Sequence, residues 1–329
     1  MLLGAAADAV WGDPRRGHPV AGFGICAAWL ERRWYADRRS AGVAYTVVLV
    51  GGVVALGGAA EAASRRYPVL NTALTAAATW AVLGGASLAR HGEALAEELG
   101  SPSPSGDRHS RRPGSDDSAA HRGRVDLAAA RARIPSLCGR DPALLDLLGM
   151  TRAGTESLAE NTSDAVVAPL FWGAVAGIPG LLGYRAVNTL DAMVGYRSPR
   201  HERFGWCSAR LDDLANLLPA RVAALLFAGL APAVGGSPRA ALAAWRRDAG
   251  GHPSPNAGPV EASAAGALGV TLGGRTVYTH GVEQRARLGS GPPPTPSDLR
   301  RAARLSRLVG AASAALAAAA AARGMGRPP

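Results

Sequence analysis

Lysine is absent from all 329 residues, so every one of the 36 basic side chains is an arginine. That excludes a Schiff-base lysine, a lysine nucleophile and the lysine of a Walker A phosphate loop. Only three cysteines occur, Cys26, Cys138 and Cys207, too far apart for a paired-thiol redox motif or for zinc-ligand spacing, and a reducing compartment fits them. The seven histidines never form His-Glu-x-x-His, which removes a helix-borne zinc hydrolase site. The opening Met1 to Asp8 has no basic flank and carries an acid within its apolar run, so it does not read as a signal peptide.

What is present is apolar surface and positive charge: 48% of the residues are hydrophobic and the formal net charge is +11. Such charge suits nucleic acid, an anionic membrane face or anionic substrates, and its distribution separates the three. The stretches Ala41 to Ala63 and Val69 to Ala89 are rich in Ala, Val, Leu and Gly and have the length that crosses a bilayer. Arginines bracket the first of them at Arg32, Arg33, Arg38 and Arg39 and at Arg65 and Arg66. Weaker apolar spans run from Val166 to Val187, Val222 to Gly236 and Leu308 to Ala322, shortened or interrupted by Pro169, Pro179 and Pro232.

Between Ser101 and Arg124 the chain is polar and predicts a disordered loop, placed in the cytosol with the arginine-bearing flank of the first span by the positive-inside rule. The expected organisation is a membrane region over residues 1–100, this loop over 101–124 and a catalytic, membrane-associated helical region over 125–329. Periodicity predicts a helix from Val125 to Arg140 with Arg131 and Arg133 outward, and a new helix beginning at Arg140-Asp141-Pro142. The fold class is an all-α, multi-pass membrane bundle with cytosolic loops and one small β-hairpin around Gly273-Gly274, between Leu268 and Tyr278.

Three segments set several polar side chains among apolar ones, which is costly unless the groups are paired or used. In the first, Glu160-Asn161-Thr162-Ser163-Asp164, the two carboxylates stand at i and i+4 and would attract a cation or an amine; a helix N-cap explains them equally well. In the second, Arg185, Asn188 and Asp191 share a face, with oxygen ligands suited to magnesium beside an arginine suited to phosphate; the plain reading is a hydrogen-bond network between helices. In the third, Asp212, Asp213 and Asn216 offer oxygens to one ion, flanked by Arg210 and Arg221, where a merely solvated face is the alternative. Ser254-Pro255-Asn256-Ala257-Gly258 is either an anion-cradling turn or an ordinary Asx-turn. Gly51-Gly52, Gly57-Gly58 and Gly173-x-x-x-Gly177 read as close helix packing, and no known nucleotide motif is visible.

These segments, together with Gly12-Asp13-Pro14, His18-Pro19, Gly139-Arg140-Asp141 and Phe204-Gly205, resemble in order the motifs of the CobD/CbiB family of cobalamin biosynthesis, the adenosylcobinamide-phosphate synthases. The stretch before Gly12 is shorter than the family's usual opening helix, and the loop from Ser101 to Arg124 is longer. The resemblance implies a membrane enzyme that joins (adenosyl)cobyric acid, through a corrin propionate, to aminopropanol or its O-phosphate. The product would be (adenosyl)cobinamide or its phosphate, formed by ATP-dependent amide ligation with Mg2+ at the cytosolic face of the cell membrane. A carboxylate reacts with an amine only after its oxygen is made a leaving group, which phosphorylation by ATP accomplishes. The expected roles are metal ligation by Asp212, Asp213 and Asn216 and amine orientation or proton abstraction by Glu160, Asp164 and Asp191. Asn161, Arg185, Asn188, Arg210, Arg221, Ser254 and Asn256 would contact substrate, and other cobalamin-pathway enzymes are expected partners. A membrane prenyltransferase holding magnesium diphosphate and a non-catalytic corrinoid-binding subunit are the competing readings; a metal requirement separates the enzymes from the subunit. If the span from Val166 to Val187 crossed fully, the second and third segments would lie opposite the first, so a single site requires that span to be broken or re-entrant.

Overall fold

The computed structural model describes residues 1–14, 17–100, 127–196, 198–278 and 281–325. The loop expected from Ser101 to Arg124 lies outside the described residues. The elements in order are α1 (Leu2–Trp11), α2 (Pro19–Trp34), α3 (Arg39–Ser64), α4 (Pro68–Val82), α5 (Gly85–Glu98) and α6 (Leu127–Arg133). Next come α7 (Leu147–Thr162), α8 (Ala168–Leu190), α9 (Trp206–Leu230), α10 (Pro238–Asp248) and α11 (Ala257–Leu268). The hairpin β1 (Leu272–Tyr278) and β2 (Gly281–Leu288) precedes α12 (Pro296–Met325).

Helix starts follow local chemistry. His18 Nδ1 accepts from Val20 N at 3.1 Å ahead of Pro19, Asp146 Oδ1 from Gly149 N at 2.7 Å, and Ser237 Oγ from Ala240 N ahead of Pro238. Five segments are long and apolar enough to cross a membrane: Arg39–Ser64, Pro68–Glu98, Leu147–Gly195, Trp206–Val234 and Pro296–Arg323. The 26 residues of α3 rise about 39 Å, more than a bilayer's hydrocarbon core of about 30 Å. Its Val47, Val48 and Leu56 and Val69 of α4 point away from the protein, which is unfavourable in water and natural in lipid. The chain is a multi-pass, all-α membrane protein.

Several boundaries depart from the sequence reading. The last turn expected before Arg140 tightens into a 3-10 turn at Ile134–Ser136, while Asp141 caps only another, Pro142–Leu144; the true helix starts after Asp146. Arg131 is exposed as expected, but Arg133 turns back to pair with Glu98. Gly273 and Gly274 do not make the hairpin turn. They sit at a register shift in β1, while the strands pair antiparallel from Leu272 with Leu288 to Tyr278 with Gly281.

The decisive departure is inside α8, where Ala176 and Gly177 leave helical geometry. Gly177 has φ +62 and ψ −144, a combination open essentially to glycine alone. The chain then doubles back: a Cβ added at Gly180 would lie 2.0 Å from Trp172 O, eight positions earlier, a distance no continuous helix permits. The segment is a re-entrant helical hairpin. Two side chains satisfy backbone groups left free here, one by the turn itself and one by a proline in the neighbouring α9. Glu61 Oε2, from α3, accepts from Ile178 N at 2.9 Å at the start of the returning half. Pro219, within α9, has no N–H for the carbonyl of Ala215, and Trp172 Nε1 donates to that oxygen at 2.9 Å.

The largest core joins α5, α7, α9, α11 and α12 through Leu95, Met150, Leu158, Phe227, Leu268 and Leu299. A smaller one sets Tyr45 and Phe204 beside Leu190 and Val194, with ring centroids 5.0 Å apart.

Candidate functional site

Because α8 turns back, the polar segment at the end of α7 and the one at the end of α8 reach the same end of the bundle, where α9 begins. Each helix widens at that place into a π turn, Ser163–Val167 and Asp191–Gly195. The extra residue in a π turn re-aims neighbouring side chains, a device frequent at functional sites. Glu160, Asp164, Asp191, Asp212 and Asp213 all line one open cavity of about 830 Å³, and Ser163, Arg210, Asn216, Ser254 and Asn256 share it. The helix N-cap reading of Glu160 to Asp164 is overturned, since the helix has already run from Leu147 when it reaches them.

Behind this wall a hydrogen-bonded layer fixes the acids. Tyr184 donates its hydroxyl proton to Asn216 Oδ1 at 2.8 Å, and Asn216 Nδ2 donates to Asp212 Oδ2 at 3.0 Å. Asn188 Nδ2 reaches the other Asp212 oxygen at 3.5 Å, and Arg185 Nη1 reaches Asn188 Oδ1 at 3.5 Å, both weak contacts. Asn216 therefore presents its amide nitrogen to Asp212, which is how an amide positions a carboxylate. Arg185 and Asn188 stand one layer back from the cavity. Asn161 is tied to Ser157 through its amide nitrogen and does not line the cavity. Arg221 does not line it either; its Nη1 donates to Asn256 Oδ1 at 2.9 Å, while Asn256 Nδ2 donates to the carbonyl of Asp213 at 2.8 Å. The Ser254 to Gly258 segment is therefore not the expected Asx-turn: Ser254 Oγ closes it by accepting from Asn256 N at 3.3 Å and Ala257 N at 3.1 Å, while the Asn256 side chain latches it onto α9. Asp213, by contrast, has a loose partner: Arg210 Nη1 is 3.6 Å away with its side chain 64% exposed.

Sequence reasoning missed the opposite wall. His252 and Arg285 line the cavity, and behind them stand Glu156 and Glu261. Glu156 is held by Arg140 and by Gly273 N, which donates to its Oε1 at 2.7 Å. Arg285 Nη1 lies 3.8 Å from Glu156 Oε2 and its Nη2 3.6 Å from Glu261 Oε1, and it also contacts His252 Nε2. Glu261 is fully buried and neither of its oxygens has a hydrogen-bond partner among the described residues. Burial, reinforced by Glu156 and Glu160 and opposed by Arg285 and Arg140, pushes its carboxyl well above the usual range. Burial and then the Arg285 guanidinium lower His252 to about 4, leaving it neutral. The sole sequence signal for His252 was its place next to the Ser254 to Gly258 motif. Arg285 had none, because it reaches the cavity from a strand. Arg39, packed over the Trp206 ring at 5.0 Å, and the His201-Glu202 pair complete the rim.

The cavity thus sets a carboxylate wall against an arginine and a neutral histidine, an arrangement that accepts a cationic or amine-bearing group on one side and an anion on the other. Among the described residues no group of three or more His, Cys, Asp or Glu forms a ready-made metal centre. Paired carboxylates with open oxygens do fit a hard ion held jointly with phosphate oxygens, which is how magnesium is usually bound.

The family model described as CobD/Cbib protein matches residues 1–112 and 115–306. A Mycobacterium tuberculosis (strain ATCC 25618 / H37Rv) protein named cobalamin biosynthesis protein CobD is 53% identical over 315 residues, covering 95% of this chain and 92% of the relative. Proteins of the same name from Rhodobacter capsulatus, at 40% over 319 residues with 93% and 92% covered, and Geobacter metallireducens, at 40% over 283 residues with 84% and 82% covered, are also similar. No solved structure matches the chain. With the family model spanning nearly the whole length and the motif-bearing segments assembled around one cavity, the chain belongs to the CobD/CbiB family of cobalamin biosynthesis proteins.

Proposed function

We propose that the protein is the amide-forming ligase of this pathway, linking aminopropanol or its O-phosphate to a corrin propionate of (adenosyl)cobyric acid at the expense of ATP. The observation that carries the reading is the convergence of Glu160, Asp164, Asp191, Asp212 and Asp213 with Arg285 and His252 on one open cavity. An amine that also carries a phosphate matches this division of charge. Its amine would lie against the Glu160, Asp164 and Asp191 carboxylates, which orient it and take up its proton as the C–N bond forms. Its phosphate, or those of the nucleotide, would be met by Arg285, Arg210 and Arg39. Asp212 and Asp213 would hold Mg2+ together with the nucleotide phosphates, with Asn216 and Asn188 fixing Asp212; the ion, when bound, neutralises charge developing on the transferred phosphoryl group.

The cavity opens at the end of the bundle that carries Arg39, Arg200, Arg203 and Arg210. By the positive-inside rule that end would lie in the cytoplasm, and a protein of the cell membrane so oriented would present its site to soluble substrates and neighbouring pathway enzymes. The test is to incubate membranes containing the protein with adenosylcobyric acid, aminopropanol phosphate, ATP and magnesium, and to look for the amide by mass spectrometry. Formation that requires all four supports the ligase; corrinoid binding without product in any nucleotide or metal condition points to a non-catalytic subunit.

A further inference from the structure

A second cavity, of about 470 Å³, lies between α1, α5, the first half of α8 and α12, and meets the Ser163–Val167 π turn at Val166. Most of its wall is apolar: Leu2 and Ala5 of α1, Leu83, Leu170, and Ala311 and Ala314 of α12. Its charged groups are Asp8 late in α1, level with the start of α5 at Ala86, Arg90 in the middle of α5, and Arg307 in the first half of α12, level with Glu93. Three of the contributing segments are long and apolar enough to span a membrane, so the groove runs alongside the bilayer.

Asp8 is the informative residue. It is only 6% exposed, in an apolar helix, and its Oδ2 is used: it accepts from Ala86 N at 3.1 Å and caps α5. Its Oδ1 is buried without any hydrogen-bond partner among the described residues, although Asp8 lines the groove. A buried carboxylate oxygen left so is costly unless a donor arrives from outside the chain. The guanidinium of Arg90, near Asp8, and that of Arg307, which lines the same groove about two turns further along α5 beside Glu93, call for an anion. Arg90 donates to Ser87 Oγ at 3.2 Å and Arg307 pairs with Glu93, and a five-donor fork in each case retains capacity for a phosphate oxygen.

We propose that this groove is a phospholipid site, with an acyl chain along the Ala5, Leu170, Ala311 and Ala314 wall, the phosphate on Arg90 and Arg307, and an ammonium or hydroxyl donor of the headgroup on Asp8 Oδ1. An apolar chain, an anion and a donor are together the parts of phosphatidylethanolamine or phosphatidylglycerol, with the headgroup donor folded back from the arginines to Asp8. Phosphatidylcholine has the chain and the phosphate but no donor, and a soluble phosphate has no chain to fill the groove. A transmembrane helix of a second copy would fill the apolar part and leave Asp8 unanswered.

The experiment uses the full chain purified in mild detergent. Extracted lipid is quantified against protein, and lipid-stripped protein is then titrated with dioleoyl phosphatidylethanolamine, phosphatidylglycerol and phosphatidylcholine while its melting temperature is followed. The site predicts a retained phospholipid and a larger upward shift with the first two lipids than with phosphatidylcholine. Ala311→Phe, at an exposed helix position that lines the groove, should lose the retained lipid and the shift while keeping wild-type far-ultraviolet dichroism and elution volume. Should that variant fail to fold, the double substitution Arg90→Gln and Arg307→Gln, at two exposed positions, should abolish lipid retention instead. Equal shifts with all three lipids, or unchanged lipid content in the groove-filling or arginine variants, would overturn the proposal. So would conversion of a dimer to a monomer by Ala311→Phe, which would make the occupant a second copy of the chain.

Discussion

At the scale of single residues, Asp213 and Asp212 differ in a way that makes them separable. Asp213 faces the cavity with an exposed arginine 3.6 Å away as its ion-pair partner, and exposed pairs of this kind are worth about 0.2–1 kcal/mol. Asp213→Asn should therefore leave the protein folded and inserted while amide formation per folded molecule falls on the order of 100-fold, the usual effect of removing one charged contact to a transition state. Partial recovery at raised magnesium or manganese would mark Asp213 as a ligand. Asp212 accepts hydrogen bonds from Asn216 and Asn188, so Asp212→Asn sets amide against amide and should lower thermal stability as well as turnover. Near-normal turnover in both single variants and in the double would move the chemistry to Glu160, Asp164 and Asp191.

The buried pair on the opposite wall gives opposite pH signatures. His252 is lowered from 6.5 to about 4 in the folded protein, so below pH 6.5 the unfolded chain binds the extra proton. Its contribution to stability is present above that pH and is lost as pH falls toward 4. Glu261 is raised above 4.5, so its contribution is full below that value and declines as pH rises. The two oppose each other between these limits, and raw melting curves mix them. The difference between wild type and His252→Gln should shrink on acidification through that window, whereas Glu261→Gln should raise the melting temperature more at pH 8 than at pH 5.

At the scale of elements, the re-entrant turn in α8 decides whether there is one site or two half-sites on opposite faces. Gly177→Ala puts a Cβ 2.3 Å from Glu61 Oε2 at a backbone conformation that L side chains rarely adopt, a strain of roughly 1–3 kcal/mol or more. The expected result is a less stable protein with a disproportionate loss of amide formation, because the second half of α8 carries Tyr184, Asn188 and the approach to Asp191. Trp172→Phe keeps the ring but strands the Ala215 carbonyl next to Pro219, at a cost of about 1–3 kcal/mol. Melting temperature and activity measured on the same preparations separate the two effects.

These elements also show what composition and periodicity can convey. Long apolar runs announced α3 and α12, and polar residues in apolar surroundings announced the α7, α8 and α9 parts of the cavity, because their cost in such a setting is a local property of the sequence. The break at Ala176-Gly177 was visible only as a requirement, since a glycine with positive φ is not distinguishable by letter from one that packs. Gly57 approaches Pro179 of the re-entrant turn, as small residues at a helix crossing should, whereas Gly51 and Gly52 meet nothing within 4 Å. Arg285, Glu261 and Glu156 were illegible because their proximity is made by a hairpin and two helices far apart in the chain, with no spacing to betray it.

At the scale of the whole molecule, five apolar segments predict a protein that sediments with membranes and resists both high salt and alkaline carbonate, since burial of apolar surface rather than arginine–lipid attraction would retain it. Orientation is the property that links this anchoring to the proposed function: the nucleotide and amine that the proposed ligation would use are water-soluble, and a cavity open to the cytoplasm would meet them. Arg203 lies in the loop beside the cavity-lining Glu202, with a side chain 67% exposed and a loose pairing to Asp37 at 3.6 Å. Its replacement by cysteine in a chain otherwise freed of Cys26, Cys138 and Cys207, all of them unpaired thiols, reports on the side to which the cavity opens. A membrane-impermeant maleimide should label Arg203→Cys in inverted vesicles and in lysed cells but not in intact cells, with labelling reduced by the corrinoid substrate. Labelling in intact cells would place the cavity mouth on the outer face and remove the cytoplasmic orientation along with the supply of ATP that the proposed ligation needs.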